Sequence, residues 1–310
     1  MPARGRGKLH AGRQVGHGPD PTSTDGEAAN PGPDEGEGPS SVILASANMT
    51  SAYTHIDAIV ACAASVQMIQ ESKLTDEAQL EFAREECLRG WSMVFGAPLE
   101  HPHESNGVAV LARPGVVMRK VPPQGETGRV LWASKRFCHA VIVLEDVVLH
   151  CISLYGFTNS ATCRESREKN EALLQQVFSY LAEFGDVSIV IGADFNIDPL
   201  CSNTLFTAQQ TRKWADAAQL QFTLDGHEPE KTCFVRETSK GSRIDGVFLS
   251  QGIAPAFQGL KVSKLTGVPT HRQLELTLDK TFARQEGMRF KTPAAFPDAS
   301  EWKDPDKDAE

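Results

Sequence analysis

In the stretch VIGADFNIDP, Val190 to Pro199, a run of β-branched and small apolar residues stops abruptly at a carboxylate, Asp194. A strand that is apolar on both faces belongs inside a sheet covered on both sides, as the parallel parts of α/β proteins are. Side chains alternate across an extended chain, so Asp194 and Asn196 are expected on one face and Phe195 on the other, in the core. An acid and an amide are thereby presented together at the C-terminal end of a strand.

Strand-like and helix-like segments alternate through the rest of the chain. SVILASAN reads as a strand, YTHIDAIVACAAS as an amphipathic helix and VQMIQE as a second strand. A helix is predicted from about Asp76 to Leu88, with acids in its first turn where the helix dipole favours them. WSMVFG, NGVAVLAR, RVLWASKRFCHAVIVL and VVLHCISLYG follow as strands, with Glu145-Asp146 as the hairpin turn between the last two. A long helix over about Arg164 to Phe184 precedes the Asp194 strand, and TCFVRE, RIDGVFLS and RQLELTL read as late strands. Strand–helix units at both ends with hairpins between them predict two stacked mixed sheets with helices outside, in one domain over about 41–279.

Residues 1–40 hold almost no large apolar side chains, so they cannot offset their ordering entropy and read as a disordered tail. Their start is basic and has no apolar core, which excludes a secretory signal; a nuclear or cytoplasmic protein is expected, not a secreted one. The basic arm suits nuclear import or nucleic-acid contact, with a solvated tail as the plainer reading. Residues 280–310, rich in Pro and charge, read as a tail or linker. The seven cysteines are an odd number without C-x-x-C spacing, which argues against a structural zinc site and a complete disulfide framework. A net charge of −9 disfavours broad contact with a polyanion, so such a substrate needs a local basic rim or metal ions at the site.

The ends of the strand-like runs carry the chemistry. Asn48 closes ILASAN, Glu71 closes QMIQE, Tyr155 stands near the end of CISLYG, Asp194 and Asn196 close VIGADFN, Asp245 sits in SRIDG, and His271 precedes RQLEL. Each alone has a bland reading as a cap or a solvated turn. Together they are a candidate site, because α/β sheets gather such ends on one side. In RETSKGSR, just before the Asp245 strand, Lys240 and Arg243 are candidates for positioning a phosphate. RPGVVMRKVPPQGETGR and SKR, Ser134 to Arg136, offer basic residues in hairpins that could line a DNA groove, with a solvated, charge-protected sheet edge as the plainer reading. HPHE, His101 to Glu104, resembles a metal-binding cluster, with a solvated loop as the plainer reading.

NMTS, IQE, SLYGFTN, IGADFNIDP, SRIDGVFLS and THRQLEL resemble, in the same order, segments of the endonuclease/exonuclease/phosphatase superfamily. The resemblance spans about 41–279 and is greatest to the apurinic-type endonuclease domains of non-LTR retrotransposons. It implies a four-layered α/β/β/α sandwich and Mg²⁺-dependent cleavage of a phosphoester, with Mn²⁺ as the alternative ion. It further implies DNA as partner, no membrane, and a reverse transcriptase domain in longer relatives. By the family's pattern Glu71 holds the metal, with Asn48 and Asp194 beside it. Asp194 or His271 takes the proton of the attacking water, Asp245 fixes the His271 tautomer, Asn196 holds phosphate or water, and Tyr155 contacts phosphate. The chain departs from the pattern at Thr50 and Thr270, where the family often has acids, which implies weaker metal binding. A phosphatase or lipid head-group phosphodiesterase, and a catalytically impaired nucleic-acid-binding remnant, are the competing expectations.

Overall fold

The computed structural model describes residues 40–144, 147–236 and 238–283. Residues 1–39 of the predicted N-terminal tail, the Glu145-Asp146 turn and residues 284–310 of the predicted C-terminal tail lie outside the described residues, while 280–283 of the latter form a short helix. Twelve strands form two six-stranded sheets. In chain order they are β1 (Ser41–Asn48), β2 (Val66–Gln70), β3 (Ser92–Phe95), β4 (Val108–Ala112), β5 (Val117–Lys120) and β6 (Phe137–Leu144). The later six are β7 (Val147–Tyr155), β8 (Ile189–Asp194), β9 (Trp214–Asp216), β10 (Asp245–Ser250), β11 (Phe257–Lys264) and β12 (Arg272–Asp279). The helices are α1 (Ile56–Ala61), α2 (Asp76–Phe82), α3 (Gly125–Ala133), α4 (Arg164–Ala182), α5 (Asn203–Gln210), α6 (Ala217–Asp225) and α7 (Lys280–Ala283).

The first sheet runs β11-β12-β1-β2-β4-β3 and the second β5-β6-β7-β8-β10-β9. Each has one parallel pair at its centre, β1 with β2 and β7 with β8, and antiparallel neighbours elsewhere. Central strands are buried on both faces, which explains their unbroken apolar runs: every residue of β8 is buried. Leu44, Met68 and Val110 of one sheet meet Ile142, Val190 and Leu249 of the other between the layers. On the outer face of the second sheet Leu173, Leu174 and Val177 of α4 cover Ile152 and Ile191, and on the first Ile59 and Phe82 cover Ile69 and Leu111. The architecture is therefore the expected α/β/β/α sandwich.

The sheets approach closely on the way to the strand ends. A Cβ on Gly192 would stand 2.7 Å from Ser46 Oγ and 2.8 Å from Met68 Cε, so only glycine fits there. Gln70, fully buried beside it, donates from Nε2 to Ser153 Oγ (3.1 Å) and the Gly192 carbonyl (3.0 Å), so it links the two sheets just behind Glu71. Its Nε2 is satisfied across the layers and so helps fix how the sheets stack, while its Oε1 is buried without a partner among the described residues.

Four segments differ from their predicted form. RVLWASKRFCHAVIVL is not one strand: α3 takes its first part, and β6 begins only at Phe137. A β-rich local composition is overridden there because Leu131 packs under α4 as a helical residue. TCFVRE contributes only isolated bridges at Cys233, to Ser242 and to His271. The helix predicted after β1 is six residues long, shorter than expected, and the helix begun at Asp76 ends at Phe82 before a 3₁₀ turn over Glu86–Leu88.

Candidate active site

Asp194 is the last residue of β8, and strand pairing fixes its neighbours. Tyr155 is its register partner on parallel β7, and Asp245 its partner on antiparallel β10. From the facing sheet Asn48, at the end of β1, donates from Nδ2 to Asp194 Oδ2 at 2.8 Å. The other carboxylate oxygen accepts the Asn196 backbone N–H at 2.9 Å. Asp194 is only 1% exposed, and the two bonds leave its side chain one orientation.

His271 enters from the residue before β12, with Asp245 behind its ring. Nδ1 lies 3.0 and 3.1 Å from the two Asp245 oxygens, so that nitrogen carries its proton towards the carboxylate. Nε2 faces Asp194 Oδ2 at 4.0 Å and Cys233 Sγ at 3.9 Å. Burial disfavours the charged imidazolium, but Asp245, by charge and hydrogen bond, together with Cys233 and Asp194, holds the ring up to about 12. Burial, and then the Asp245 charge, push the Asp194 carboxyl up to about 7, against the lowering pull of His271, Asn48 and the Asn196 amide. Asp194, Asp245 and His271 form a buried set whose ligand atoms lie within 4.8 Å of one another.

The opposite wall belongs to Glu71, which directly follows β2 and is 9% exposed. Its carboxylate pairs with Lys73 Nζ at 3.2 Å. Glu71, Thr50 and Asn196 all have positive φ, at 52°, 54° and 53°, a region where a non-glycine residue is uncommon. Three left-handed residues where strands end is the backbone signature of a strained functional site. Tyr155, 2% exposed, stands among these groups; burial, then the charges of Glu71 and Asp194, raise its phenol well above the ordinary value, with Arg136 and Asn196 opposing.

The structure brings Asn48, Asp194, Asp245 and His271 together in direct contact and places Glu71, Tyr155 and Asn196 around them. The expectation that Asn196 shares the Asp194 face through strand alternation is corrected in its cause. β8 ends at Asp194, and Asn196 arrives by a left-handed turn, its Nδ2 donating to the Gly156 carbonyl at 3.2 Å. Phe195 is buried as expected, edge-on to Phe248 at 5.4 Å between ring centroids. Arg243 is a correction: it is 4% exposed and ion-paired with Asp216 at the start of α6, so it is not available to a phosphate. Lys240 is exposed in the loop that leads to β10.

Three contributors were not singled out as site residues by sequence reasoning. Lys73 lies two residues beyond Glu71, and that spacing is the one signal that pointed to it. Arg136, read as part of a solvated edge, is half-buried instead. Its guanidinium lies 4.2 Å from the Phe157 ring centroid and 5.1 Å from that of Tyr155. It donates from Nη1 to the Gly156 carbonyl at 2.7 Å, the carbonyl that Asn196 also uses. Asn170 sits on α4, far from any motif. Its Oδ1 accepts the Phe157 N–H (3.0 Å) and its Nδ2 donates to the Phe195 carbonyl (2.9 Å), tying together the loops after β7 and β8.

The donor set fits a divalent cation of the Mg²⁺ kind, which takes one or two carboxylates and completes its shell with water and substrate oxygens. Glu71 supplies one carboxylate, and Lys73 already partners it; Thr50 and Thr270 supply none.

The model of the Endonuclease/Exonuclease/phosphatase family matches residues 43–265. The match ends short of His271, whose place in the site rests on its contact with Asp245. No curated protein matches the chain. Among solved structures, a 3'-5' exonuclease (NExo) from Neisseria meningitidis is similar at 16% identity and a TM-score of 0.56, over 77% of this chain and 100% of its own. The catalytic domain of Xenopus laevis APE2 is similar at 16% and 0.59, over 77% and 92%. The endonuclease domain of TRAS1, a telomere-specific non-LTR retrotransposon, is similar at 15% and 0.54, over 77% and 98%. These likenesses carry the fold, and the family match carries the assignment: the chain belongs to the endonuclease/exonuclease/phosphatase family of phosphoester hydrolases.

Proposed function

We propose that the chain is a Mg²⁺-dependent phosphodiesterase that cuts DNA as an endonuclease of retroelement type. The observation that carries this reading is the Asp194–His271–Asp245 constellation, closed from the facing sheet by Asn48 and flanked by Glu71. Asp194 is the general base: fixed by Asn48 and Asn196, with a pKa near 7, it is matched to taking a proton from water at neutral pH. His271 is the proton-bearing partner, since Asp245 holds its imidazolium; its Nε2 donates to an oxygen of the scissile phosphate across the 4.0 Å gap to Asp194. Tyr155 and Asn196 position the phosphate, and Arg136 steadies both through the Gly156 carbonyl. A divalent ion bound by Glu71 supplies Lewis-acid neutralisation of phosphate charge.

The likeness to nucleases, one of them solved with a product DNA hairpin, favours a nucleic-acid substrate over a lipid head group. The second reading, a binding remnant with impaired catalysis, is favoured by Thr50, Thr270 and the Lys73 partner of Glu71. Supercoiled plasmid, an inositol phosphate and a sphingomyelin analogue, each with Mg²⁺, discriminate among the readings. The expected result is nicked plasmid that disappears with chelator and in Glu71→Gln. Tight plasmid binding without nicking by a folded wild-type protein would select the remnant.

A further inference from the structure

Most of the space between the two sheets is apolar, but it turns polar just before the strand ends. Ser46, Gln70 and Ser153, exposed by 2%, 0% and 0%, meet there beside the Gly192 carbonyl. Gln70 Nε2 lies 3.0 Å from that carbonyl, 3.1 Å from Ser153 Oγ, 3.2 Å from the Met68 carbonyl and 3.3 Å from Ser46 Oγ. Two of these neighbours are carbonyls, which only accept, so the nitrogen end of the amide must face them. The Ser153 hydroxyl donates to the Ile69 carbonyl at 2.7 Å and is left to accept from Gln70. Each sheet thus donates to the other.

Strand register ties this cluster to the cleft. Ser46, Ser153 and Gly192 stand two residues before Asn48, Tyr155 and Asp194 on β1, β7 and β8, and Gln70 directly precedes Glu71. Residues two apart on a strand share a face, so the cluster lies one pleat, about 6.6–6.8 Å, behind the cleft groups. Ser153 pairs with Gly192 just as Tyr155 pairs with Asp194. Gly192 leaves no room for a side chain here, so contact limits how near the sheets come and the Gln70 amide limits how far they part. We propose that Gln70 is a positioning residue for the hydrolytic centre. Its amide sets the separation of the sheets at the cleft, and with it the reach of Asn48 and Glu71 on one sheet to Asp194 and Tyr155 on the other. The catalytic consequence rests on the reading above, in which Glu71 holds the cation and Asp194 takes the proton. A displacement of about 1 Å between such groups costs on the order of 10²-fold in rate.

Gln67 supplies the comparison. It is buried on the same strand, but its amide donates to the Ile59 carbonyl (2.8 Å) on the outer face of that sheet. Gln67→Met and Gln70→Met each remove one buried amide, and only the second frees the cleft. Without substrate or metal, NMR of the full chain reads the Asn48 side-chain amide, which Asp194 holds across the sheets. In Gln70→Met its resonance should shift and its hydrogens exchange about tenfold faster, while in Gln67→Met it should stay as in wild type. An Asn48 amide unchanged in Gln70→Met, or changed equally in both variants, overturns the proposal. With plasmid and Mg²⁺, Gln70→Met should lose about 10²-fold in kcat with KM within about twofold, while Gln67→Met nicks as wild type does. Equal losses from both would make Gln70 a structural residue only and overturn its positioning role. Ser153→Ala, which removes one acceptor and the bond to Ile69, takes over if Gln70→Met does not fold. It should shift the Asn48 amide in the same sense, and a wild-type resonance overturns the proposal. If no protein, wild type included, cuts a phosphoester, the hydrolytic reading fails while the Asn48 amide still decides whether Gln70 sets the sheet spacing.

Discussion

A six-residue helix joins β1 to its parallel neighbour β2 in the first sheet, whereas a 19-residue helix joins β7 to β8 in the second. Both units deliver an acid to the cleft, Glu71 from one and Asp194 from the other, and both then turn through a left-handed residue. In the second unit that residue is Asn196, a type at ease with positive φ, and its amides bond to Asp194 and Gly156. In the first it is Glu71 itself, a type that is not, and its carboxylate pairs with Lys73, whose side chain is partly exposed. The Asp194 unit is thus built as a rigid, buried cluster of acid, amide and imidazole under a long helix. The Glu71 unit keeps a carboxylate in a costly left-handed conformation, paired with a lysine two residues on.

The largest effect expected from this contrast is on rate. Asp194→Asn should lower cleavage by about 10²–10⁴-fold, as loss of a general base does, with little change in stability because it removes a like charge beside Asp245. Near wild-type turnover would place the base elsewhere and dissolve the distinction between the units. Phe195→Ala probes the same unit from its other face. Urea unfolding should show a loss of about 3–5 kcal/mol, since Phe195 is 1% exposed against Phe248. A much smaller loss would mean that the Asp194 side is no better packed than the Glu71 side.

The acid limb of the pH–rate profile is the next test. Asp194 is raised to about 7, so it is protonated, and useless as a base, below that value. Activity should therefore fall roughly tenfold per pH unit as pH drops below 7, and it should level off above. A limb near pH 4 would show that the carboxyl is not held up by burial and Asp245. The smallest effect concerns the first unit. Glu71→Gly should raise stability by about 1 kcal/mol, because glycine adopts φ 52° without the left-handed penalty, while cleavage is lost. Asn196→Ala at φ 53° should do the reverse to stability, losing about 1 kcal/mol. If both changes shift the melting temperature in the same direction, the two turns are not strained differently.

Much of this site was legible in the chain because burial on both faces leaves an unmistakable apolar run, and the polar residue that ends such a run stands out. Asn48, Glu71 and Asp194 were readable on that basis, while Asp245 and His271 stand at or just before the starts of strands and were readable only as members of the set. What was not readable depends on partners distant in sequence. Arg243 looks like a phosphate ligand in RETSKGSR, and only the packing of α6 reveals that Asp216 claims it. Arg136 follows a helix that local composition disguises as a strand, and Asn170 is one amide in a polar helix until the loops it clamps are in place. The edge strands β9 and β11 escaped notice because they expose residues or are very short and carry no continuous apolar signal, and β5 was legible only as a charged hairpin edge.

The placing of β12 has a consequence for how the protein is made. β12 is the last strand among the described residues, yet it lies inside the first sheet, paired with β11 on one side and with β1 on the other, Ser41 opposite Asp279. During synthesis β1 therefore waits, one edge open, while more than two hundred residues emerge. Such late, distant pairing slows folding and leaves a strand edge exposed to the wrong partner. The same strand draws His271 in beside Asp245 as it docks. A nascent or truncated chain ending before His271 and β12 has Asp194, Glu71 and Asp245 but lacks the imidazole that packs against them, so the buried cluster is complete only when this strand closes the sheet.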